Sequence, residues 1–563
     1  MTTDQELPPL NPRLFSHFGA LGLVAALAGC DYSPPAEDQG VSSGVFVDPG
    51  AAGLVNRPAT SDRVLNPEEI DRKKDILNGA LKLIQSSATT AGGNPFQQAT
   101  KNLNQYFDGT AAADFALGRA TRLYLLRQMP GPVVEGLEVP AFTTRDARHL
   151  EDCMLYSSIA ARVAGTGDDL TRVGRVFDWM VRQVQLIPPE SLSSPTQGPV
   201  YARPFDVLLR GMATEAQGTW AERSWLFMSL CRQLGIDVGL VTYTPRNRKE
   251  PIVWTCAALI DGKAYLFDAR IGMAIPGPDG TGVATLDEAM KDPVVLDRLD
   301  LPGGQSPYGT SRVELLNSPS KIGILIDSST GYLSGRMQLL QQSLAGNNRT
   351  ILHRDPAVQA DKFAKALGAR FGGATLWEFP VMVETLLFTD SQFVKASLQS
   401  LMLFDPNLPL LQARMKQLRG NIDEAVSELV SMRFAEKPML ADKKTPIPKE
   451  VQQALDIYAT YYLGLANLDR NDLELAKDSF LDTLAMVPEP GPGRPYFYMY
   501  RHGALTNLAR LHEAKGDASR AAGYYSQLDP TSQHHGNLLR ARSLIWREPT
   551  APLPPPLPPA PPG

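Results

Sequence analysis

The stretch from Trp225 to Cys231 constrains the fold more than any other part of the chain, because it is apolar at almost every position. Gly235 follows it as a helix C-cap signal, while Thr219 and Glu222 precede it with the spacing of a capping box. A helix that is apolar on nearly all sides is buried within a domain. We therefore expect a helix here, at the centre of a folded unit.

Three segments with the composition of β-strands follow this helix, at residues 236–243, 252–260 and 263–268. The last two are separated only by Asp261 and Gly262, a dipeptide typical of a type I′ hairpin turn. The order of one central helix and then antiparallel strands predicts an α+β domain.

Residues 144–275 resemble the transglutaminase-like domains of the papain-type fold. The resemblance rests on residues 218–220 (Gly-Thr-Trp), on the helix end at 232–236 and on the strand end at 265–268. In that family a cysteine begins the central helix, a histidine on a following strand deprotonates it, and an aspartate at the end of the next strand orients the histidine. The resemblance implies the same α+β core here.

The resemblance also implies that two of the three catalytic groups are missing. The cysteine position falls on Trp220, the histidine position on Val253 and the aspartate position on Asp268. The chain has no histidine between His149 and His353, and both lie outside the matched strands. Without a positioned base the usual chemistry of the family fails, so we expect a non-catalytic domain that retains only the acid.

The remaining cysteines do not replace the nucleophile. Cys231 lies about 16 Å further along the helix than Trp220, at 1.5 Å per residue. Cys256 is three residues from Val253, so strand alternation points it to the other side. With Cys153 they make an odd set without close pairing once Cys30 is set apart, which argues against a disulfide framework and a zinc site. We expect no metal and no cofactor.

A groove without catalytic groups is a candidate binding site. Its six candidate residues are Trp220, Glu222, Arg223, Trp254, Asp268 and Arg270. The alternative is purely structural: Glu222 belongs to the capping box, the tryptophans fill volume, and Asp268 pairs with one of the arginines. No phosphate-binding, metalloprotease or dinucleotide motif is present in the sequence.

The N-terminus has the layout of a signal peptide, with Arg13, an apolar run at 18–27, and a Leu-Ala-Gly sequence before Cys30. This resembles a bacterial lipobox, which implies that residues 1–30 are a lipoprotein signal peptide and that Cys30 carries the lipid. The protein would then be anchored in the cell envelope, facing the extracytoplasmic side. Asp4 and Glu6 favour the alternative, a cytosolic protein with a mildly apolar N-terminus.

The C-terminal part repeats a helical template with small residues at fixed spacing. The middle copy, Leu463, Gly464, Ala476, Phe480 and Pro488, matches best. These copies resemble tetratricopeptide repeats, in which small residues let paired helices approach closely. The alternative is a generic helical bundle.

At 563 residues the chain exceeds the size of one core, and we divide it by pattern. Asn66 and Pro67 open the first helix of the folded part. The segments are the tether 31–64, a helical lead-in 65–143, the core 144–275, a mixed α/β extension of unknown family 276–395, repeats 396–546 and a proline-rich tail 547–563. The predicted fold class is an α+β transglutaminase-like core followed by an all-α repeat domain.

The formal net charge of −5 argues against nucleic-acid binding. We expect a membrane-anchored envelope protein that binds protein or peptide partners through the concave surface of its repeats. One alternative is a hydrolase or acyltransferase acting on peptides or cell wall, with Glu222 or Asp268 as base. Another is a structural spacer between the membrane and other components.

Overall fold

The computed structural model describes the folded body of the chain. The described residues are 66–87, 94–188, 201–215, 220–245, 249–301, 308, 321–344, 350–434, 439–440, 445–447, 449–487 and 495–545. The predicted signal peptide with Cys30, the tether and the proline-rich tail lie outside these residues.

Four α-helices lie in the described part of the lead-in. They are α1 (Pro67–Ser87), α2 (Pro95–Tyr106), α3 (Arg119–Leu126) and α4 (Gly131–Leu137). Helix α1 begins as predicted, because the Asn66 side chain accepts a hydrogen bond from the Glu69 amide at 2.8 Å and Pro67 needs no amide partner there.

The α/β part combines helices with one main sheet. Its first helices are α5 (Thr144–Ala164), α6 (Asp169–Gln183), α7 (Pro204–Arg210) and α8 (Ala221–Gln233), and two short parallel strands, β1 (Gln185–Ile187) and β2 (Met212–Thr214), lie between them. Every residue of α8 from Ala221 to Arg232 is buried. The predicted central helix is therefore confirmed.

The main sheet has six strands in the order β6, β5, β4, β3, β7, β8. They are β3 (Asp237–Tyr243), β4 (Ile252–Ile260), β5 (Lys263–Asp268), β6 (Met273–Ala274), β7 (Ile322–Asp327) and β8 (Phe371–Trp377). Strands β7 and β8 are parallel, and the other pairs are antiparallel. The predicted hairpin between β4 and β5 is present, since Asp261 and Gly262 both have positive φ, as a type I′ turn requires.

Residues 276–395 do not form a separate layer, because β7 and β8 extend the same sheet beyond β3. The helices of this segment are α9 (Leu286–Lys291), α10 (Pro293–Asp297), α11 (Thr330–Leu333), α12 (Gly335–Ser343), α13 (Pro356–Leu367), α14 (Glu378–Thr389) and α15 (Ser391–Ser400). The second edge of β3 needs a hydrogen-bonding partner, and β7 supplies it.

The C-terminal part is all helical. Its helices are α16 (Pro409–Arg419), α17 (Ile422–Phe434), α18 (Lys449–Asp469), α19 (Leu473–Met486), α20 (Pro495–Ala514), α21 (Ala518–Tyr525) and α22 (Gln533–Ile545). A side chain at Gly464 would collide with the Phe480 ring, which explains the small residue on α18. The molecule is thus a mixed α/β protein in which a sheet-containing part precedes a helical part.

The helical part packs against the α/β part through alternate helices. Each of α16, α18 and α20 donates a side-chain hydrogen bond to a backbone carbonyl of α6 or α7: Arg414 to Leu208, Tyr462 to Leu209 and Asn507 to Arg182. Asp469, at the end of α18, accepts hydrogen bonds from Trp179 and Gln183 of α6. The inner face of the helical part is therefore occupied by the chain's own α/β part.

Candidate functional site

Trp220 stands directly before α8, at the position that corresponds to the missing cysteine. It provides no side-chain cap for the helix. The predicted capping box pairs Glu222 with Thr219, which lies outside the described residues. The Glu222 carboxylate accepts hydrogen bonds from Arg210, at 3.0 and 3.1 Å, and from the backbone amides of Ala202 and Thr214.

Arg210 is the charged partner of the Glu222 carboxylate, and its guanidinium contacts both oxygens. Glu222 is fully buried. Burial raises the pKa of Glu222, and Arg210 opposes that rise. A carboxylate that is buried and paired in this way is not available as a general base for an external substrate.

Val253, at the histidine position, points to solvent from the start of β4. It lies opposite Thr242, whereas Thr255 lies opposite Val241, so Trp254 is the extra residue of a β-bulge. The Val253 side chain is 39% exposed and Trp254 is buried. The bulge turns Trp254 into the interior, where it belongs to the hydrophobic cluster that also contains Tyr308 and the buried residues of β7.

Asp268, the retained acid, is the last residue of β5 and is fully buried. The Tyr308 hydroxyl donates to its Oδ2 at 2.6 Å, and the Trp254 indole N–H donates to the Tyr308 hydroxyl at 2.9 Å. The backbone amides of Arg270 and Ile271 donate to Oδ1. The Arg270 guanidinium lies 3.6 Å from Oδ2, so both carboxylate oxygens are engaged.

Arg270 connects Asp268 to the start of α8. Its guanidinium carbon lies 4.9 Å from the centre of the Tyr308 ring and 5.4 Å from the centre of the Trp220 ring. We refer to the residues joined in this way, Trp220, Trp254, Asp268, Arg270 and Tyr308, as the Asp268 corner. Four of the six predicted groove residues thus belong to one contact network, and Glu222 does not.

The carboxylate of Asp268 lies on the face of the sheet turned away from α8. Phe267, one residue earlier, packs on Phe227 of α8, with ring centres 5.4 Å apart. Because neighbouring side chains on a strand point to opposite faces, Asp268 points the other way, toward Trp254 and Tyr308. A catalytic acid would instead face a base that contacts the start of the helix.

Arg223, the remaining predicted residue, is buried and binds backbone groups. Its guanidinium donates to the carbonyl of Ala269 at 3.0 Å and to the side chain of Gln533 at 2.7 Å. Burial lowers the pKa of Arg223 to about 9. Arg223 therefore holds the turn after Asp268 against α22 and does not form an ion pair with Asp268.

Helix α22 covers the turn between β5 and β6. Gln533 also donates to the carbonyl of Ile271 at 2.9 Å, and a side chain at Gly536 would collide with that same carbonyl. His535 lies beside Tyr308, with ring centres 6.2 Å apart, and its Nε2 is 2.7 Å from the carbonyl oxygen of Leu299. Within the described ranges no histidine or cysteine hydrogen bonds to Asp268.

The three described cysteines are free and buried. Burial raises the pKa of Cys256 to about 12, and it also raises the pKa values of Cys153 and Cys231. Cys153 Sγ lies 3.5 Å from His149 Nε2, one helical turn away on α5, but burial lowers the pKa of His149 to about 4. A neutral thiol beside a neutral imidazole is not an activated nucleophile.

Tyr308, in the corner, and Gln533, beside Arg223, are not indicated by any sequence pattern. Tyr308 is 40 residues from Asp268, and Gln533 is 310 residues from Arg223. The only indirect indication was that a buried acid such as Asp268 needs hydrogen-bonding partners.

Among the described residues, no group of three or more histidine, cysteine or acidic side chains is placed to bind a metal ion. Within the same ranges, no helix is both long and apolar enough to cross a membrane.

Comparison with known proteins does not identify the chain: no family model, no curated protein and no solved structure matches it. The geometry of the Asp268 corner and of the surfaces around it is therefore the basis for a functional assignment.

Proposed function

We propose that this chain is a lipid-anchored envelope protein whose transglutaminase-like domain has no catalytic function and which binds protein or peptide partners. The engagement of Asp268 is the observation that carries the non-catalytic part. Its carboxylate already accepts hydrogen bonds from Tyr308 and from its own turn, and it pairs with Arg270. Neither Trp220 nor Val253 can supply a thiol or an imidazole.

The alternative hydrolase needs Glu222 or Asp268 as a base. Both carboxylates are fully buried and each faces an arginine, which weighs against access of a substrate. No observation favours a different nucleophile, because the described thiols are buried and protonated.

Partner binding needs a surface that the chain itself leaves open. Tetratricopeptide repeats commonly use their concave face, but here α16, α18 and α20 contact the α/β part. We place the partner surface on the outer helices instead. Exposed apolar side chains support this, with Phe434 on α17 66% exposed and Leu475 on α19 48% exposed.

The lipid anchor is tested by the mass of the mature N-terminus. We expect a peptide that begins at Cys30 and carries acyl chains, and we expect Cys30→Ser to abolish both cleavage and acylation. An intact N-terminus on the wild-type chain would contradict the anchor.

Partner binding is tested by photo-crosslinking in cells, with a photoreactive amino acid at position 434 or 475. We expect discrete protein adducts at one or both positions. Position 294 on α10 is a matched control, because Val294 is also exposed, at 43%, and lies on the α/β part. Absence of adducts at 434 and 475, or equal adducts at 294, would contradict the proposed surface.

A further inference from the structure

Helix α14 presents an apolar face to solvent. Its one charged residue after Glu378 is Glu384, and the Glu384 carboxylate accepts hydrogen bonds from the amide and hydroxyl of Thr330 at 3.0 and 2.9 Å. Phe379 and Val383 are buried, whereas Met382 and Phe388 are 39% and 41% exposed. Apolar side chains on a helix are normally covered by a neighbouring element.

Arginines from α5 border this face. The Arg145 guanidinium carbon lies 3.8 Å from the centre of the Phe388 ring, and that of Arg148 lies 5.9 Å from it. Arg148 also lies 5.8 Å from the ring of Phe96 on α2. Arginine beside aromatic and aliphatic side chains is typical of surfaces that lie at the boundary of a lipid bilayer.

The face lies near the C-terminal end of α1, where Ser87 donates a hydrogen bond to Glu151 of α5. Phe96 and Arg148 join α14 to α2 and α5, and α1 packs against both of those helices.

We propose that the outward face of α14, together with Arg145 and Arg148, docks on an anionic phospholipid surface. The proposal rests on the proposed lipid anchor. The apolar side chains Met382 and Phe388 enter the boundary between headgroups and acyl chains, and the arginines contact the phosphates. A second copy of the chain fits this face less well, because a two-fold contact places the same arginines of both copies near one another.

Vesicle flotation tests the docking. The protein is the mature chain 31–563 without lipid, which contains every described residue, and the vesicles contain phosphatidylethanolamine with phosphatidylglycerol. We expect wild-type protein to float with these vesicles and to bind phosphatidylcholine vesicles less. The double variant Met382→Ser/Phe388→Ser should lower the partition coefficient at least about tenfold, because two apolar side chains no longer leave water.

The control variant is Leu475→Ser, which removes an equally exposed apolar side chain from α19. It should float like the wild type. The variant Arg145→Gln/Arg148→Gln should weaken binding to the anionic vesicles alone, and thermal unfolding of each variant shows that it is folded. Loss of binding in the double variant with retention in the control supports the proposal.

Three results would overturn it: no binding of wild-type protein, equal loss in the double variant and the control, or a wild-type dimer that the double variant converts to a monomer. The last result would assign the face to a second copy. Failure of the lipid anchor can be distinguished from failure of the docking surface. If Cys30 is unmodified in cells but the unlipidated chain still binds vesicles, the anchor is refuted and the docking surface is retained.

Discussion

The Asp268 corner and the outward face of α14 differ in where their interactions are directed. In the corner, Trp254, Tyr308 and Asp268 are hydrogen bonded to one another, and Asp268 and Trp254 are buried. On α14 the one internal carboxylate is bonded inward and the apolar side chains point outward. The corner is closed by the chain's own residues, and the face of α14 is open to solvent.

This difference separates a region that stabilises the fold from one that can bind another molecule. A buried carboxylate without a partner is costly, and Tyr308 and Arg270 are the partners of Asp268. We infer that substitutions in the corner change stability, whereas substitutions on α14 change binding.

The largest effect is expected from Asp268→Ala. The Tyr308 hydroxyl, the Arg270 guanidinium and two turn amides would lose their acceptor, so the free energy of unfolding should fall by about 2–4 kcal/mol. Urea denaturation measures it. The exposed Asp361→Ala on α13 is the control and should stay within about 0.5 kcal/mol of wild type. Equal unfolding free energies of the two variants would mean that Asp268 does not stabilise the corner.

Acidification is expected to have the next largest effect, through His149. Its folded pKa of about 4 lies below the usual 6.5, so the unfolded chain binds the proton more tightly. The stability that the fold gains from keeping His149 neutral is fully present above pH 6.5. It is lost as the pH falls from 6.5 through 4, and the total loss in unfolding free energy is at most about 3 kcal/mol.

The measurement is the difference in unfolding free energy between wild type and His149→Gln at several pH values. The two curves should converge as the pH falls from 6.5 to 4, because the variant lacks the titrating group. Parallel curves would show that the imidazole is not held neutral in the fold. Vesicle binding through α14 should be the same for both proteins above pH 6.5.

A smaller effect is expected from Tyr308→Phe. Removing the hydroxyl leaves Asp268 without one donor and the Trp254 indole without its acceptor, at a cost of about 1–2 kcal/mol. Urea denaturation again measures the change. Tyr106→Phe, on the partly exposed end of α2, is the matched control. A loss as small as that of the control would show that Tyr308 only fills space.

The smallest change in stability is expected from Met382→Ser/Phe388→Ser. Both side chains lie at the surface and are about two fifths exposed, so the free energy of unfolding should change by only about 1 kcal/mol while vesicle binding is lost. A large loss of stability would show that the face of α14 belongs to the core, and the contrast with the corner would then fail.

Local signals predicted the elements around the site well. Helix α8 followed from its apolar run, and the β4–β5 hairpin from Asp261 and Gly262, because both patterns act between neighbours in sequence. The partners of the Glu222 carboxylate could not be predicted in this way. Arg210 and two distant amides reach the carboxylate only after the chain has folded.

Long-range contacts determine the rest and leave no local pattern. The partner of Asp268 lies in a segment without a family assignment, and the cover over its turn comes from the last helix. The use of the inner repeat face by the chain itself depends on contacts such as Arg414 with Leu208, 206 residues apart. Neither residue spacing nor composition predicts such contacts.

Alkylation of native thiols tests the central claim, a closed and non-catalytic corner, most directly. Iodoacetamide is added to the folded chain 31–563, and modified cysteines are counted by mass before and after unfolding in urea. The account predicts no modification of Cys153, Cys231 and Cys256 in the folded chain and complete modification after unfolding, since the buried thiols are protonated. Rapid modification of a single cysteine in the folded chain, abolished by Asp268→Asn, would reveal an activated nucleophile and contradict the account.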